Sequence, residues 1–431
     1  RTILAGLGIN LDEDFDLAYM GYTPAVDGLQ NGSIDGVSIP AGPPVSAVSS
    51  AFASMGDKLT LLSFTEEQRK QANGDFEDLW PDEVMASAYE TAHGITFPIQ
   101  VYCLFEQVLR DELGMSLAQY RARIGRIFAP FSAVAADNPY AQFPHARSAE
   151  FIATPAAENF LLCEPYTKWM VAQDAVNQAA AVVMTSVGAA RELGIPERNW
   201  VYLTAYADVD ELPVVRRPRL AGSHAQGLAL RRVLDDAGVA AADVDYVDLY
   251  SCFPVAVTSA CEHLGIDPEG ARTLTLTGGL PYFGGPGNNY SLHAIAEVVA
   301  RLRGARGATA LVAANGGYLS KHSVGLYGRH LAGAWQPRSS AAERAQARAA
   351  SDVVVAEVAE GAARIESYAA VYKRGEPAGG YIVGRLAADQ RRFLALMAPD
   401  DAAARARLFG EQPIGSAVSV RHADGLNVFT V

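Results

Sequence analysis

The chain has 431 residues, with 35 Lys plus Arg against 48 Asp plus Glu, a formal charge of −13. That balance argues against a broad nucleic-acid surface, which needs a clustered basic face, while half the residues are apolar, ample for a large core. The most apolar long run, 175–190, contains Asn177, Gln178, Thr185 and Ser186, so no membrane span is expected, and no basic-then-apolar leader is visible. Cys103, Cys163, Cys252 and Cys261 are too few and too scattered for a disulfide scaffold or a zinc site. A cytoplasmic, multidomain globular protein with no metal is expected.

In chain order, 1–87 mix short apolar runs with Gly and Pro; 33–54 change character twice and 66–83 are charged. Residues 88–165 predict helices, with Leu104, Val108, Leu109 and Leu113 spaced as one face. The Ala- and Val-rich stretch 171–190 predicts a buried helix followed by a central strand. Ser223, then Leu228, Leu230, Val233, Leu234 and Gly238, predict a capped amphipathic helix. A strand at 244–249, a helix at 253–264 closed by Gly265, a strand at 273–277, a further helix and a strand at 308–314 continue the alternation of a layered α/β domain. The Ala/Arg-rich 341–350 reads as a linker helix. Beyond it, strands are predicted at 353–358, 364–372, 381–386, 393–397 and 417–420, with one helix at 402–408. Short strands in this number tend to close into a small barrel and hide their edges.

Three constellations could carry chemistry. The glycine-rich loop 278–287 lies between a predicted strand and a helix, where positive φ and close backbone approach suit an oxyanion or phosphate as well as a tight turn. It has neither the Lys-Ser/Thr of a phosphate loop nor the spaced dinucleotide fingerprint. Asp248-Leu249-Tyr250-Ser251-Cys252-Phe253-Pro254 sits at a strand end, where polar side chains face the ligand crevice of α/β proteins. Tyr250 there suits a proton or hydrogen-bond donor, or a buried tyrosine beside an inert core Cys252. Asn315-Gly316-Gly317-Tyr318-Leu319-Ser320-Lys321-His322 is a second strand-end turn, and His322 is the best placed of the eight histidines to act as a base. His293 reads as a packing residue.

Together and in this order, DLYSCFP, TGGLPYFGGPGNNYSLHAIAEVVARLR and NGGYLSKHSVGLY resemble the thiolase superfamily, closest to type-one thiolase-like proteins with an extra C-terminal domain. The resemblance implies a five-layer α-β-α-β-α thiolase fold with an inserted loop domain, and an OB-like β barrel in the tail. It divides the chain into an incomplete N-terminal thiolase half at 1–87, an inserted helical domain at 88–165, the end of the first half at 166–205, the second half at 206–345 and the β-rich domain at 352–431. Residue by residue, Tyr250 and Ser251 stand where thiolases carry an Asn-Glu or His-Asp pair. Gly284-Gly285-Pro286 stands in place of Gly-His-Pro, and a catalytic cysteine would fall near Ala313. No cysteine precedes Cys103, although the nucleophile belongs in the first half.

The expected function is therefore a degenerate thiolase-like protein that binds CoA or an acyl-CoA without standard thiolase activity. Such activity needs a low-pKa thiolate, its base and a second acid/base. One alternative is a retro-aldolase or acyltransferase acting on CoA thioesters through Tyr250, with His322 assisting; the resemblance implies an acetyl-CoA acetyltransferase-like role in lipid metabolism for active members. Another is a partner-binding scaffold without CoA. The expected ligand residues are Gly284, Gly285, Pro286, Asn315, Gly316 and Gly317. No cofactor is required, the ligand is a small-molecule thioester, and a protein partner is a further expectation. If the imidazole missing at Gly285 leaves a void, Tyr282, Tyr318 or His322 are the residues expected to fill it.

Overall fold

The computed structural model describes residues 11–14, 16, 22–36, 86–305, 307–331, 339–373 and 375–431. Two compact units divide the chain, Arg1–Pro81 and Asp82–Val431. In the first, the described residues form two short helices, Leu11–Asp14 and Tyr22–Asn31. Of the expected N-terminal stretch 1–87, residues 1–10, 15, 17–21 and 37–85 lie outside the described residues.

The second unit holds a four-stranded sheet and a closed barrel. The sheet order is β3-β6-β5-β4, with β3 at Tyr202–Asp210, β4 at Tyr246–Leu249, β5 at Thr309–Gly316 and β6 at Lys321–Gly328. β4 and β5 run parallel, while β6 is antiparallel to both its neighbours. Side chains alternate across β5. Ala310 and Val312 join Ala294, Val298 and Leu302 of the helix Tyr290–Gly304, while Leu311 and Ala313 join the main core with the helices His224–Ala237 and Pro254–Leu264. Both faces are thus covered, which explains the nearly continuous apolar run of β5. The second sheet that a five-layer arrangement requires is not formed among the described residues.

The His224–Ala237 helix begins and ends as its sequence predicts. The Ser223 side chain accepts the Gln226 N–H, and Gly238 takes the left-handed conformation after the last turn. Within it, Gly227 lets the Pro254–Leu264 helix approach: a Cβ there would lie 2.5 Å from the His263 ring.

In the tail, β7 (Gly361–Lys373), β8 (Glu376–Leu386), β9 (Arg392–Met397), β10 (Ala417–Ala423) and β11 (Leu426–Thr430) close through a β10–β7 pairing. The circuit runs β7-β8-β9-β11-β10, with β9 and β11 parallel and the helix Ala402–Leu408 before β10. The small barrel is therefore present, lined by its own apolar core around Tyr368, Ile382, Phe393 and Phe429. A hairpin of β1 (Leu161–Cys163) and β2 (Tyr166–Thr167) adds to β7 through Cys163 and Val371. The barrel is tied to the rest of the unit by buried polar contacts. Arg392 donates to the Val215 and Arg217 carbonyls, and Ser367 donates to the Leu104 carbonyl of the helix Pro98–Glu112.

Four local expectations are corrected. Residues 171–190 are not a buried helix and central strand: only Val187–Glu192 is helical, and Val183 is 91% exposed. An Ala/Val run forms a strand only where a neighbouring strand receives its hydrogen bonds, and among the described residues none does. Residues 273–277 follow the edge of β4, with one bond from Leu249 N–H to the Leu274 carbonyl, because the Asp248 side chain captures the Leu276 and Thr277 N–H groups. Residues 353–358 contribute one bridge, Val355 to Arg392, and leave Val354 and Val358 exposed. In Pro98–Glu112 the buried surface is carried by Val101, Tyr102, Leu104 and Phe105, with Leu113 exposed. The last strand, β11, was not among the predicted strands.

Candidate functional site

The site is built at the C-terminal ends of the parallel pair β4 and β5. Asp248, buried at the end of β4, accepts hydrogen bonds from Thr275 Oγ1 at 3.0 Å, Leu276 N at 2.7 Å and Tyr290 Oη at 3.1 Å. One side chain thereby shapes the approach to the glycine loop. Three residues on, Ser251 Oγ accepts the Leu280 N–H at 3.1 Å and holds the loop itself.

Inside the loop, packing requires glycine at 278 and 279, while at 284 the close neighbour is the end of a flexible glutamine and the backbone conformation sets the demand. A Cβ on Gly278 would lie 2.4 Å from Ala135, on Gly279 2.6 Å from Phe131 and Ser251, and on Gly284 2.3 Å from Gln178. All three have positive φ. Gly285 differs: its nearest neighbours would be the Gln173 carbonyl, Leu280 and Ala172 at 3.3–3.5 Å. The space beside it is bounded by those residues, not filled by Tyr282, Tyr318 or His322 as expected. The Gly285 N–H donates to the Gln173 carbonyl at 2.8 Å. Pro286 is half-buried beside it.

From β5, Asn315 reaches toward Cys252. Its Nδ2 donates to Tyr102 Oη at 2.8 Å and lies 3.5 Å from Cys252 Sγ. Tyr102 Oη in turn donates to the Gly317 carbonyl at 3.0 Å and accepts the Leu319 N–H at 3.0 Å. Leu319 is fully buried at φ +52°, a conformation that leucine adopts only when its surroundings hold it there. Tyr250 N donates to the Ala313 carbonyl at 3.1 Å, which fastens the ends of β4 and β5 together. The Tyr250 ring packs edge-on to Tyr290, and its hydroxyl makes no hydrogen bond with the described residues.

Burial dominates the titration behaviour here. It pushes the Cys252 thiol up to about 12 and the Tyr250 hydroxyl above its ordinary range. At neutral pH both are protonated, so Tyr250 is a donor and Cys252 is not a thiolate.

His322 pairs with Asn315 across the β5–β6 ladder but has different partners. Its Nε2 lies 2.9 Å from Ser223 Oγ and 3.2 Å from the Leu319 carbonyl. Ser223 Oγ donates its proton to Glu211 at 2.9 Å, so His322 Nε2 carries the hydrogen and Nδ1 has no partner among the described residues. Burial lowers the imidazole to about 4. Burial alone would raise the Glu211 carboxyl, but Arg217 and the Ala225 and Leu212 N–H groups hold it below its usual range. This is a buried, neutral histidine in a capping network. His293 packs edge-on to Phe283. The structure thus joins Asn315 and Gly317 through the Tyr102 hydroxyl, fastens Tyr250 to the end of β5 through its backbone, leaves Gly284 to Pro286 on the loop held by Ser251 and Gln173, and bonds His322 to Ser223 and the Leu319 carbonyl. Tyr102 and Cys252 complete the cluster. Nothing in the sequence pointed to Tyr102, an aromatic on an apolar helical face.

A surface cleft of about 440 Å³ lies elsewhere, lined by Arg121, Arg126 and alanines of the helices Leu117–Asp137 and Ala149–Ala153. Its arginines are engaged with Glu164 and Glu269. No helix among the described residues is long and apolar enough to cross a membrane.

A mixed α/β body with its polar cluster at the ends of parallel strands, followed by a small five-stranded barrel, is the arrangement of a thiolase-like protein. The chain belongs to the type 1 thiolase-like (SCP2-thiolase-like) family. It is 42% identical to the crystal structure of a monomeric SCP2-thiolase-like protein type 1 from Mycobacterium smegmatis, with a TM-score of 0.75 over 80% of this chain and 75% of that one. Residues 344–425 match the family model for the thiolase-like protein type 1 additional C-terminal domain, and residues 1–97 match the NMT1-like family. A structure of an Ltp2-ChsH2(DUF35) aldolase is 18% identical, with a TM-score of 0.45 over 56% of this chain and 68% of that one. No curated protein matches the chain.

Proposed function

We propose that this protein binds CoA or an acyl-CoA at the ends of β4 and β5, and that it does so without standard thiolytic chemistry. The observation that carries the reading is the Tyr102–Asn315–Cys252 cluster beside a Tyr250 hydroxyl with no hydrogen-bond partner among the described residues. Convergent polar groups in an otherwise apolar surround are the usual makeup of a small-molecule site. Tyr250, a neutral donor, is suited to the thioester carbonyl. The chemical half of the proposal rests on Gly285 and Ala313 standing where thiolases carry histidine and cysteine, and on the protonated state of the Cys252 thiol. We read the tail as an OB-like barrel, from its closed circuit and its helix before β10.

Thermal melts with CoA and acetyl-CoA, together with a thiolysis assay on acetoacetyl-CoA, test both halves. Ligand at about 100 times its dissociation constant adds about 2.7 kcal/mol of stability. A raised melting temperature with no thiolysis is expected. An unmoved melt, or turnover at about 1–1000 per second, contradicts the corresponding half. The Tyr250 hydroxyl, without a hydrogen-bond partner among the described residues, also favours a second reading, C–C bond chemistry on a CoA thioester with Tyr250 as proton donor. Loss of that activity in Tyr250→Phe, with ligand binding retained, would support it.

A further inference from the structure

The orientation of the Asn315 amide is fixed by its neighbour. The single Tyr102 hydroxyl proton is given to the Gly317 carbonyl, so Tyr102 can only accept from Asn315, and Nδ2 must face it. Oδ1 therefore faces away from Tyr102. It is buried, in a residue only 8% exposed, and has no hydrogen-bond partner among the described residues. A buried carbonyl oxygen without a donor is a standing demand for an N–H or O–H.

We infer that Asn315 is a specificity residue, its Oδ1 accepting a hydrogen bond from a hydroxyl on the acyl group of the bound thioester; this rests on the thioester-binding reading above. The chemistry of the ligand selects this class. The acyl end of a CoA thioester offers only acceptors, the carbonyl oxygen and the sulfur, and an unsubstituted chain adds none that can donate. Such a chain would displace any water serving Oδ1 and return nothing. A hydroxylated chain supplies the missing proton, while Tyr250 donates to the carbonyl. Depth favours the acyl group over the amides of the pantetheine arm, because Tyr102, 1% exposed, forms the inner wall of the cluster.

The test is isothermal titration of the whole protein with CoA, butyryl-CoA, 2-hydroxybutyryl-CoA and 3-hydroxybutyryl-CoA. At least one hydroxylated ligand should bind about tenfold or more tighter than butyryl-CoA. In Asn315→Leu that ratio should fall to within about twofold of unity, and in Tyr102→Phe, where the amide is free to turn, it should fall part of the way. Equal affinities in the wild-type protein would overturn the inference without any variant having to fold. So would a ratio preserved in Asn315→Leu. Binding without discrimination removes this inference alone, whereas no binding by any of the four ligands removes the thioester reading and this inference with it.

Discussion

Asn315 and Tyr102 are 213 residues apart in sequence, and a 2.8 Å hydrogen bond joins them in the buried centre of the site. The contact links the end of β5 to the helix Pro98–Glu112, which also carries the barrel through the Ser367 bond to the Leu104 carbonyl. Tyr102 therefore stabilises the Gly317–Leu319 turn while it orients the amide.

Removing the Tyr102 hydroxyl should be expensive. Tyr102→Phe strands the Leu319 N–H, the Gly317 carbonyl and one Asn315 proton in the interior, and Leu319 loses a bond that holds it at positive φ. A destabilisation of about 2–4 kcal/mol is expected in urea melts. A change below about 0.5 kcal/mol would show that the turn stands without it.

Tyr250→Phe should behave oppositely. Its hydroxyl has no hydrogen-bond partner among the described residues, so folding stability should stay within about 0.5 kcal/mol of the parent. Any loss in that variant should be confined to ligand affinity or to activity. A large drop in stability would make Tyr250 a packing residue.

Two buried groups give opposing pH dependences. His322 is lowered to about 4 from 6.5, so between those values the unfolded chain binds the extra proton and stability falls as pH falls. Glu106 is fully buried, accepts from Val255 N and Tyr120 Oη, and is raised by burial to about 7 from 4.5. There the folded state keeps the proton longer, and stability falls as pH rises from about 4.5 to 7. Glu106→Gln should remove the second dependence only. Relative to wild type, that variant should gain stability between pH 5 and pH 8, by about 2–3 kcal/mol at most. Parallel pH profiles for the two proteins would contradict the assignment.

The barrel junction makes a further prediction. Arg392 is fully buried, pairs with Glu366 at 2.6 Å and donates to the Val215 and Arg217 carbonyls. Arg392→Leu should cost about 3–5 kcal/mol, the range for breaking a buried pair from one side. Chemical denaturation reads this directly, and a cost under 1 kcal/mol would show that the barrel is held by its apolar contacts alone.

Local signals in the sequence served well where neighbours in sequence decide the structure. Ser223 and Gly238 bracket a helix because both act on their own turn, and Ala402–Leu408 forms as its composition predicts. Misreadings arose where a distant group decides. Thr273 to Thr277 has the β-branched character of a strand, yet the Asp248 carboxyl takes its N–H groups. The Ala/Val run after Gln178 has strand composition but no strand beside it among the described residues, and composition carries no information about a neighbour. At the site, Tyr250 and Asn315 were legible because they end strands in a layered pattern. Tyr102 was not, since a tyrosine on an apolar helix face gives no sign of where its hydroxyl will end.

The central claim is that a thioester carbonyl lies against Tyr250 at the ends of β4 and β5. Titration of the protein with acetyl-CoA carrying ¹³C at the thioester carbonyl, followed by NMR, tests it most directly. A bound carbonyl resonance shifted by hydrogen bonding in the wild-type protein, and returned toward the free position in Tyr250→Phe, is the predicted result. The same bound resonance in both proteins, or no bound resonance in either, would contradict it.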